Sequence, residues 1–305
     1  MKHIFIVNPK SGPGDCTGPL TKALGPYNGK IDYEIYVTSK EGDATEYVRE
    51  RCVKEPNTPK RFYACGGDGS LNEVTSGLVG FPNASAGCYP TGSGNDFVKY
   101  YGGREKFLDV DSLINGEEMD VDIMRIGGRY SINVCNFGFD ASVASRMIKF
   151  RRTKLLGGPR AYFAAVGTSF INAMKHSCSV SVDGEEIHRG NFLLCTISNG
   201  TYVGGSYNCA PRSKNNDGYL EVCLVKTISR PRFLKLMNPY KDGKHLDDPN
   251  FKDCLVYRRG RKIEITAPEG FLVSLDGEII SSSHFTVENL ERAVKFIVPR
   301  GVPAN

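Results

Sequence analysis

Residues 61–74 constrain the fold most, because an apolar run at 61–65 ends in the turn Gly66-Gly67-Asp68-Gly69 and then opens a helical pattern. Glycine adopts positive φ without steric cost, and a helix that begins at such a turn presents unpaired N–H groups and the positive end of its dipole. The stretch therefore predicts a phosphate-binding turn. From these residues alone, the alternative is an ordinary strand-to-helix turn with Asp68 as the helix N-cap.

The same design recurs through residue 101. Three more strand-like runs each end in a polar loop: 3–8 before Asn8-Pro-Lys-Ser-Gly12, 31–38 closed by Thr38, and 84–89 before the turn 90–96. Strands that alternate with helices predict right-handed crossovers and a parallel sheet with helices on both faces. The loops at 8–12, 66–72 and 91–96 then share the carboxyl edge of the sheet, where such sheets bind ligands. The first loop lacks the Gly-Lys-Ser/Thr ending of a P-loop, so an ordinary Walker site is excluded.

After about residue 120, strand-like runs follow one another closely. They cover 119–125, 130–137, 177–182, 191–198, 219–225, 262–266, 271–275 and 294–298, and helical patterns lie near 141–149 and 160–174. This density of strands predicts an antiparallel, sandwich-like second domain. We place the domains at 1–118 (α/β) and 119–305 (β-rich).

Charge and hydropathy narrow the class of partner. The net charge of +5 suits nucleotide phosphates or an anionic membrane surface and is too weak to predict nucleic acid. No window approaches the ~20 apolar residues of a spanning helix, so membrane contact is expected to be peripheral. The N-terminal residues follow a strand pattern rather than that of a signal peptide, so we expect no export. The ten cysteines include no C-x-x-C pair and are interpreted as cytosolic thiols, with a disulfide or zinc set as the alternative.

Two turns in the second half carry carboxylates. Asp217-Gly218 precedes a strand, and Asp276 and Glu278 flank a glycine at the end of the run 271–275. Such a pair could hold Mg²⁺, accept a hydroxyl proton, or simply close a hairpin.

The segment 146–160 carries six basic residues with apolar residues between them. It could rest on anionic lipid headgroups, and the alternative is a solvated helix end and loop.

Residues 66–73 (Gly-Gly-Asp-Gly-Ser-Leu-Asn-Glu) and 90–97 (Pro-Thr-Gly-Ser-Gly-Asn-Asp-Phe) together resemble the catalytic domain of the diacylglycerol kinase family, in its soluble bacterial lipid-kinase branch. The resemblance continues through 8–12, 136–141, 211–218 and 276–278, in the order and spacing of the family, and covers essentially the whole chain. It implies a two-domain lipid kinase with a nucleotide-binding α/β domain, a β-rich second domain and an active site in the cleft between them.

The resemblance also implies roles for individual residues. Those that would bind ATP are Asn8, Pro9, Lys10, Ser11, Gly12, Thr38, Gly66, Gly67, Asp68, Gly69, Ser70, Leu71, Asn72 and Ser93. Ser70 and Ser93 stand where the family has threonine, and both keep the hydroxyl.

Catalysis and metal binding are implied at the later turns. Asp276 or Glu278 would accept the proton, with Asp68 also counted as catalytic. A structural Mg²⁺ would be held by Asp217 and the main-chain oxygens of Lys214 and Tyr219, although the basic residues near this turn do not favour a cation site.

The expected reaction is transfer of phosphate from ATP to a lipid hydroxyl, with diacylglycerol as the first choice of acceptor. Phosphatidylglycerol or a sphingoid base, an NAD kinase-like enzyme and an inactive nucleotide-binding regulator are the alternatives. The expected partners are ATP, the lipid alcohol and, transiently, the inner face of the membrane, reached from the cytoplasm. A homodimer is left open.

Overall fold

The computed structural model describes residues 1–12, 14–152 and 159–303, and for 151, 152 and 159 it describes the backbone only. The first four strands are β1 (Lys2–Val7), β2 (Asp32–Val37), β3 (Lys60–Gly66) and β4 (Ala84–Pro90). The remaining strands are β5 (Glu117–Ile126), β6 (Arg129–Ser131), β7 (Val134–Gly138), β8 (His176–Val182), β9 (Glu185–Ser198), β10 (Tyr202–Val203), β11 (Tyr207–Asn208), β12 (Leu220–Lys226), β13 (Leu255–Gly260), β14 (Lys262–Thr266), β15 (Leu272–Leu275), β16 (Glu278–Ser281) and β17 (His284–Val298).

The helices follow the same numbering along the chain. They are α1 (Thr17–Leu24), α2 (Asp43–Lys54), α3 (Asp68–Leu78), α4 (Val110–Ile114), α5 (Phe139–Arg152), α6 (Pro159–Asn172) and α7 (Arg230–Lys241). Short 3₁₀ turns lie at Gly25–Tyr27, Phe97–Tyr101, Arg104–Phe107 and Pro249–Phe251.

The N-terminal half is the predicted α/β unit. Its strands are parallel in the order β2-β1-β3-β4. β1 and β3 are almost wholly buried, as expected of central parallel strands covered on both faces. The carboxyl ends of these strands therefore meet at one edge, where the polar loops begin.

The C-terminal half is antiparallel and sandwich-like, which confirms the predicted fold class. Its strands bury a second apolar core, and α5, α6 and α7 cover a third. β17 joins the halves, because it pairs antiparallel with β14 and β5 and parallel with β4 at Lys295 and Phe296. The boundary near residue 118 stays a prediction, since this last strand packs into both halves.

The predicted strand at 130–137 is two strands, and this difference forms part of the site. β6 ends at Ser131 and β7 begins at Val134, because the backbone N–H groups between them turn toward the carboxylate of Asp276. β17 is also longer than the predicted run 294–298. Its charged middle obscures the strand pattern and contains a register shift between Leu290 and Val294, with Arg292 at φ 51°.

Candidate active site

The loops after β1, β3 and β4 are joined by direct hydrogen bonds. The N–H of Thr91 and that of Gly92 both donate to the carbonyl of Gly66, at 2.9 and 3.2 Å. Asn8 donates from Nδ2 to the Ser70 hydroxyl at 3.3 Å, and its Oδ1 accepts the N–H of Lys10 at 3.0 Å. Loops far apart in sequence thus form one surface at the carboxyl edge of the parallel sheet.

Glycine is required where these loops touch. A Cβ on Gly92 would lie 2.4 Å from the Cα of Gly67, and a Cβ on Gly12, at φ +67°, would lie 1.9 Å from the carbonyl oxygen of Thr91. Gly69 has no heavy atom within 4 Å of such a Cβ. The glycines at 12, 67 and 92 therefore allow close packing of the backbone, which suits a loop that binds phosphate through N–H groups.

Asp68 is not a helix cap. Gly67 is the N-cap of α3, no side chain there caps the helix, and Oδ1 of Asp68 accepts the N–H of Asp96 at 2.5 Å and that of Phe97 at 3.4 Å. Desolvation, and then the negative charge of Asp96, raises the pKa of Asp68 to about 6. A cationic ligand beside Asp68 would therefore stabilise its ionised form.

Asp96 connects the two halves of the molecule. Its carboxylate accepts the N–H of Gly205, at 3.0 and 3.1 Å to its two oxygens, and pairs with Lys99 Nζ at 2.5 Å. Lys99 Nζ also donates to the Gly205 carbonyl at 2.6 Å and lies 5.7 Å from the centre of the Tyr202 ring. The hairpin of β10 and β11 is thus held against the loop after β4.

Asn72 makes the second connection. From α3, its Nδ2 donates to the carbonyl of Tyr130 at 3.1 Å, and its Oδ1 accepts the N–H of Ile132 at 3.3 Å. The N–H of Ile132 also donates to Asp276 at 2.9 Å. The turn after β15 therefore lies beside the helix that the glycine turn begins.

Asp276 is surrounded by donors. Its Oδ2 accepts from Ile132 N–H and the Ser131 hydroxyl at 2.9 Å, and more weakly from Asn133 N–H at 3.4 Å, while its Oδ1 accepts Val134 N–H at 2.8 Å. Desolvation raises the pKa of Asp276 to about 7, although the bonds from Val134, Ser131 and Asn133 lower it. Such a carboxylate is suited to hold the turn in place.

Glu278 is less restrained. Its side chain is 34% exposed, and Oε2 lies 3.3 Å from Nη1 of Arg129. Desolvation, and then the charge of Glu41, raises the pKa of Glu278, and Arg129 lowers it. Of the two carboxylates at this turn, Glu278 is the better placed to take a proton from an incoming hydroxyl.

The remaining residues implied for ATP also lie at this edge. Pro9, Lys10, Ser11 and Gly12 follow β1, with Lys10 exposed. Thr38 follows β2 and donates to the carbonyl of Val7 through its N–H and its hydroxyl. Ser70 and Leu71 are buried in the first turn of α3, whereas Ser93 is exposed after β4. These positions are adjacent, and their roles in binding ATP stay predictions.

The turn implied for Mg²⁺ is occupied by protein groups. Oδ2 of Asp217 pairs with the guanidinium of Arg259, and Oδ1 accepts the N–H of Tyr219 at 3.1 Å. Arg259 also bonds Glu221 at 2.7 Å. As arranged, Lys214, Asp217 and Tyr219 do not fit a resident Mg²⁺, because the positive charge at the carboxylate is already supplied.

The basic segment is only partly described. Arg146 donates to the Ser169 hydroxyl at 2.6 Å, and Met147 and Phe150 pack against the third core, so these three side chains are engaged within the protein. Lys154, Leu155 and Leu156 lie outside the described residues, as do the side chains of Arg151 and Arg152. No helix in the described part of the chain is long and apolar enough to cross a membrane.

Three residues at the site were not singled out from the sequence. Lys99 follows Asp96 by one helical turn, a spacing that could have suggested the ion pair. No sequence spacing indicates the contacts of Arg129 and Gly205, because only the fold brings each residue to its partner. Arg129 is 149 residues from Glu278, and Gly205 is 109 residues from Asp96.

Comparison with known proteins agrees with this geometry. The family model described as the diacylglycerol kinase catalytic domain matches residues 2–126, and the one described as the YegS C-terminal NAD kinase beta sandwich-like domain matches residues 133–298. A protein of Enterobacter sp. (strain 638) named "Probable lipid kinase YegS-like" is 30% identical, covering 99% of this chain and 97% of its own. The "Diacylglycerol kinase" of Bacillus subtilis (strain 168) is 27% identical, covering 98% of this chain and 97% of its own.

A solved structure shares the fold. A diacylglycerol kinase from Bacillus anthracis str. Sterne superposes with a TM-score of 0.73 at 23% identity, covering 99% of this chain and 98% of that one. The glycine loops, the paired carboxylates at the sheet edge and the two matching domain models lead to one conclusion. This chain belongs to the diacylglycerol kinase family and is a lipid kinase.

Proposed function

We propose that this protein transfers the γ-phosphoryl group of ATP to the hydroxyl of diacylglycerol and forms phosphatidic acid. The observation that carries the proposal is the double contact of Asn72 with residues 130–132, which brings the turn of Asp276 and Glu278 beside the glycine loops. A phosphate donor at the loops and a hydroxyl at the turn would then face each other. The choice of diacylglycerol is supported by the name of the Bacillus subtilis relative.

In this proposal the loops bind the substrate MgATP. N–H groups at Gly67–Ser70 and the N-terminus of α3 would bind phosphate oxygens. Asp68 would face the magnesium ion that accompanies ATP, since a cation relieves its desolvation and its repulsion from Asp96, while Asp96 itself pairs with Lys99. Phosphoryl transfer requires mainly positioning and charge neutralisation, and these residues supply both.

The acceptor side is formed by the other turn. Glu278 would take the proton from the lipid hydroxyl as the bond to phosphorus forms, and a general base of this kind contributes about 10²–10⁴ in rate. Asp276 would position the turn through its four donors rather than exchange protons. The protein would work from the cytoplasm at the inner face of the membrane, which is consistent with ten buried, free cysteines.

The test uses purified protein, labelled ATP and Mg²⁺ with a panel of acceptors in mixed micelles. Diacylglycerol, phosphatidylglycerol and a sphingoid base are compared with NAD, and products are resolved by chromatography. We expect labelled phosphatidic acid as the main product. If only another lipid is labelled, diacylglycerol is the wrong acceptor. If only NAD is labelled, or nothing is, the proposal is overturned.

A further inference from the structure

The outer face of α6 carries exposed apolar side chains. Phe163 and Ile171 are 71% and 64% exposed, eight residues apart and therefore on the same side of the helix, with exposed Gly167 midway between them. On α7, Leu234 is 57% exposed. These are three of the seven large apolar side chains that are exposed in the described part of the chain.

The two helices bring these residues onto one surface. The rings of Phe170 and Phe233 are 5.6 Å apart between α6 and α7. Arg230, at the start of α7, donates to the carbonyls of Phe170 and Ile171 at 3.0 and 2.6 Å, so it caps the end of α6. Leu234 lies one turn after Arg230 and therefore on the same side of α7. We call the surface of Phe163, Ile171 and Leu234 the α6–α7 face.

The sequence around α6 and α7 is rich in basic residues. No acidic residue lies between Asp140 and Asp183, where seven lysines and arginines occur, or between Glu221 and Asp242, where five occur, although one of these five, Arg232, pairs with Asp253. Arg160, Lys175 and Lys235 are exposed beside the apolar residues. An open pocket of about 300 Å³ lies between the helices and is lined by Lys175, Arg230 and Ile171. Apolar side chains bordered by cations complement the headgroup region of an anionic bilayer.

The face is connected to the rim of the active site. Tyr162, next to Phe163 on α6, packs against the same third core as Tyr207 on β11. The same hairpin carries Gly205, whose N–H binds Asp96. A membrane at the α6–α7 face would therefore lie beside a hairpin that contacts the rim of the active site at Asp96.

We propose that the α6–α7 face docks this kinase on an anionic lipid bilayer. Phe163, Ile171 and Leu234 insert below the headgroups, while Lys175, Lys235 and Arg160 lie at the level of the lipid phosphates. The proposal rests on the proposed function, because an enzyme whose acceptor is anchored in a bilayer has to meet that bilayer. This proposal uses a different surface from the segment 146–152. In that segment, three of the described side chains already contact other parts of the protein.

The decisive variant is Phe163→Ser/Ile171→Ser/Leu234→Ser, with Val53→Ser as the matched control. Val53 is 66% exposed on α2, so its change removes a comparable exposed apolar side chain elsewhere. Binding is measured by co-sedimentation with vesicles of phosphatidylcholine and phosphatidylglycerol, and with phosphatidylcholine alone. We expect the triple variant to bind the anionic vesicles at least about tenfold more weakly, since insertion strength scales with buried apolar area. Val53→Ser should bind like the wild type.

Two further measurements complete the test. Lys175→Gln/Lys235→Gln should weaken binding to anionic vesicles and reduce its salt dependence. The triple variant should keep its kcat with a short-chain, water-soluble diacylglycerol and lose activity on vesicles, and Phe163→Ser alone repeats the test with a smaller change. Vesicle binding by the triple variant equal to the wild type, or no wild-type binding, would overturn the docking proposal. If the proposed function is wrong instead, the wild type phosphorylates no lipid, whatever its vesicle binding.

Discussion

Oδ1 of Asp68 accepts the backbone N–H of Asp96 at 2.5 Å, across 28 residues of sequence. The first residue of α3 thus holds the loop after β4, and Asp96 in turn holds Gly205 of the second half. The carboxylate of Asp68 therefore binds another loop and does not cap its own helix.

Asp68→Asn should keep the fold and lose activity. The amide oxygen can still accept the N–H of Asp96, and removing a charge beside Asp96 relieves repulsion, so we expect a Tm equal to or above that of the wild type. Transfer should fall by about 10²-fold or more if the charge serves MgATP. Thermal unfolding measures the Tm, and initial rates measure the transfer. Wild-type activity in this variant would show that Asp68 only connects two loops and has no role in catalysis.

Glu278→Gln and Asp276→Asn should separate the base from the positioning residue. Glu278→Gln removes the proton acceptor, so kcat should fall by about 10²–10⁴ with little change in Tm. In Asp276→Asn an NH₂ group faces backbone donors, which should cost about 1–3 kcal/mol of unfolding free energy for each bond left unmade. The two assignments would be exchanged if Asp276→Asn lost kcat without losing Tm and Glu278→Gln lost Tm without losing kcat.

Arg129→Gln should move the acid limb of the pH–rate profile to higher pH. The base must be ionised, so the rate falls as the pH drops through its pKa, which desolvation already raises and Arg129 lowers. Without the guanidinium at 3.3 Å, the pKa of Glu278 rises further. Arg125→Gln is the matched control, because Arg125 pairs with Glu288 on β17 instead. A limb that does not move would show that another group sets it.

Gly92→Ala and Gly69→Ala should differ although both lie in the glycine loops. A Cβ at 92 would meet the Cα of Gly67 at 2.4 Å, so the loops must separate, and we expect a loss of about 1–3 kcal/mol and weaker ATP binding. Gly69 is helical with open space around its Cβ, so alanine should leave the free energy of unfolding unchanged or raise it by up to about 1 kcal/mol. Denaturant unfolding and nucleotide titration measure both, and equal effects would argue against close packing of the loops.

Chelation of Mg²⁺ should leave the Tm of the wild type unchanged in the absence of nucleotide. The guanidinium of Arg259 supplies the charge at Asp217, so removal of metal takes nothing from this turn. In Arg259→Gln the carboxylate is freed, and Mg²⁺ should then raise the Tm. A wild-type Tm that falls with chelator would show that a cation displaces Arg259 and would support the site implied by the family resemblance.

The sequence by itself determined the fold class and the edge of the sheet where the site lies. Apolar runs such as 61–65, each ending in a glycine loop, are local signals, and they dictate strands whose carboxyl ends meet. The carboxylates of Asp68, Asp276 and Glu278 could be named for the same reason, since each adjoins a glycine at the end of a strand. The helices at 141–149 and 160–174 were also predicted, because helical spacing of apolar residues is local.

Only the tertiary structure decided what these groups do to one another. Whether Asp276 is a free base or a buried anchor depends on N–H groups about 143 residues away, at the break between β6 and β7. Whether Asp217 is open to a cation depends on Arg259, 42 residues further along the chain. Desolvation and charge pairing are set by distance in space, so the local pattern that locates a carboxylate contains no information about which donors surround it.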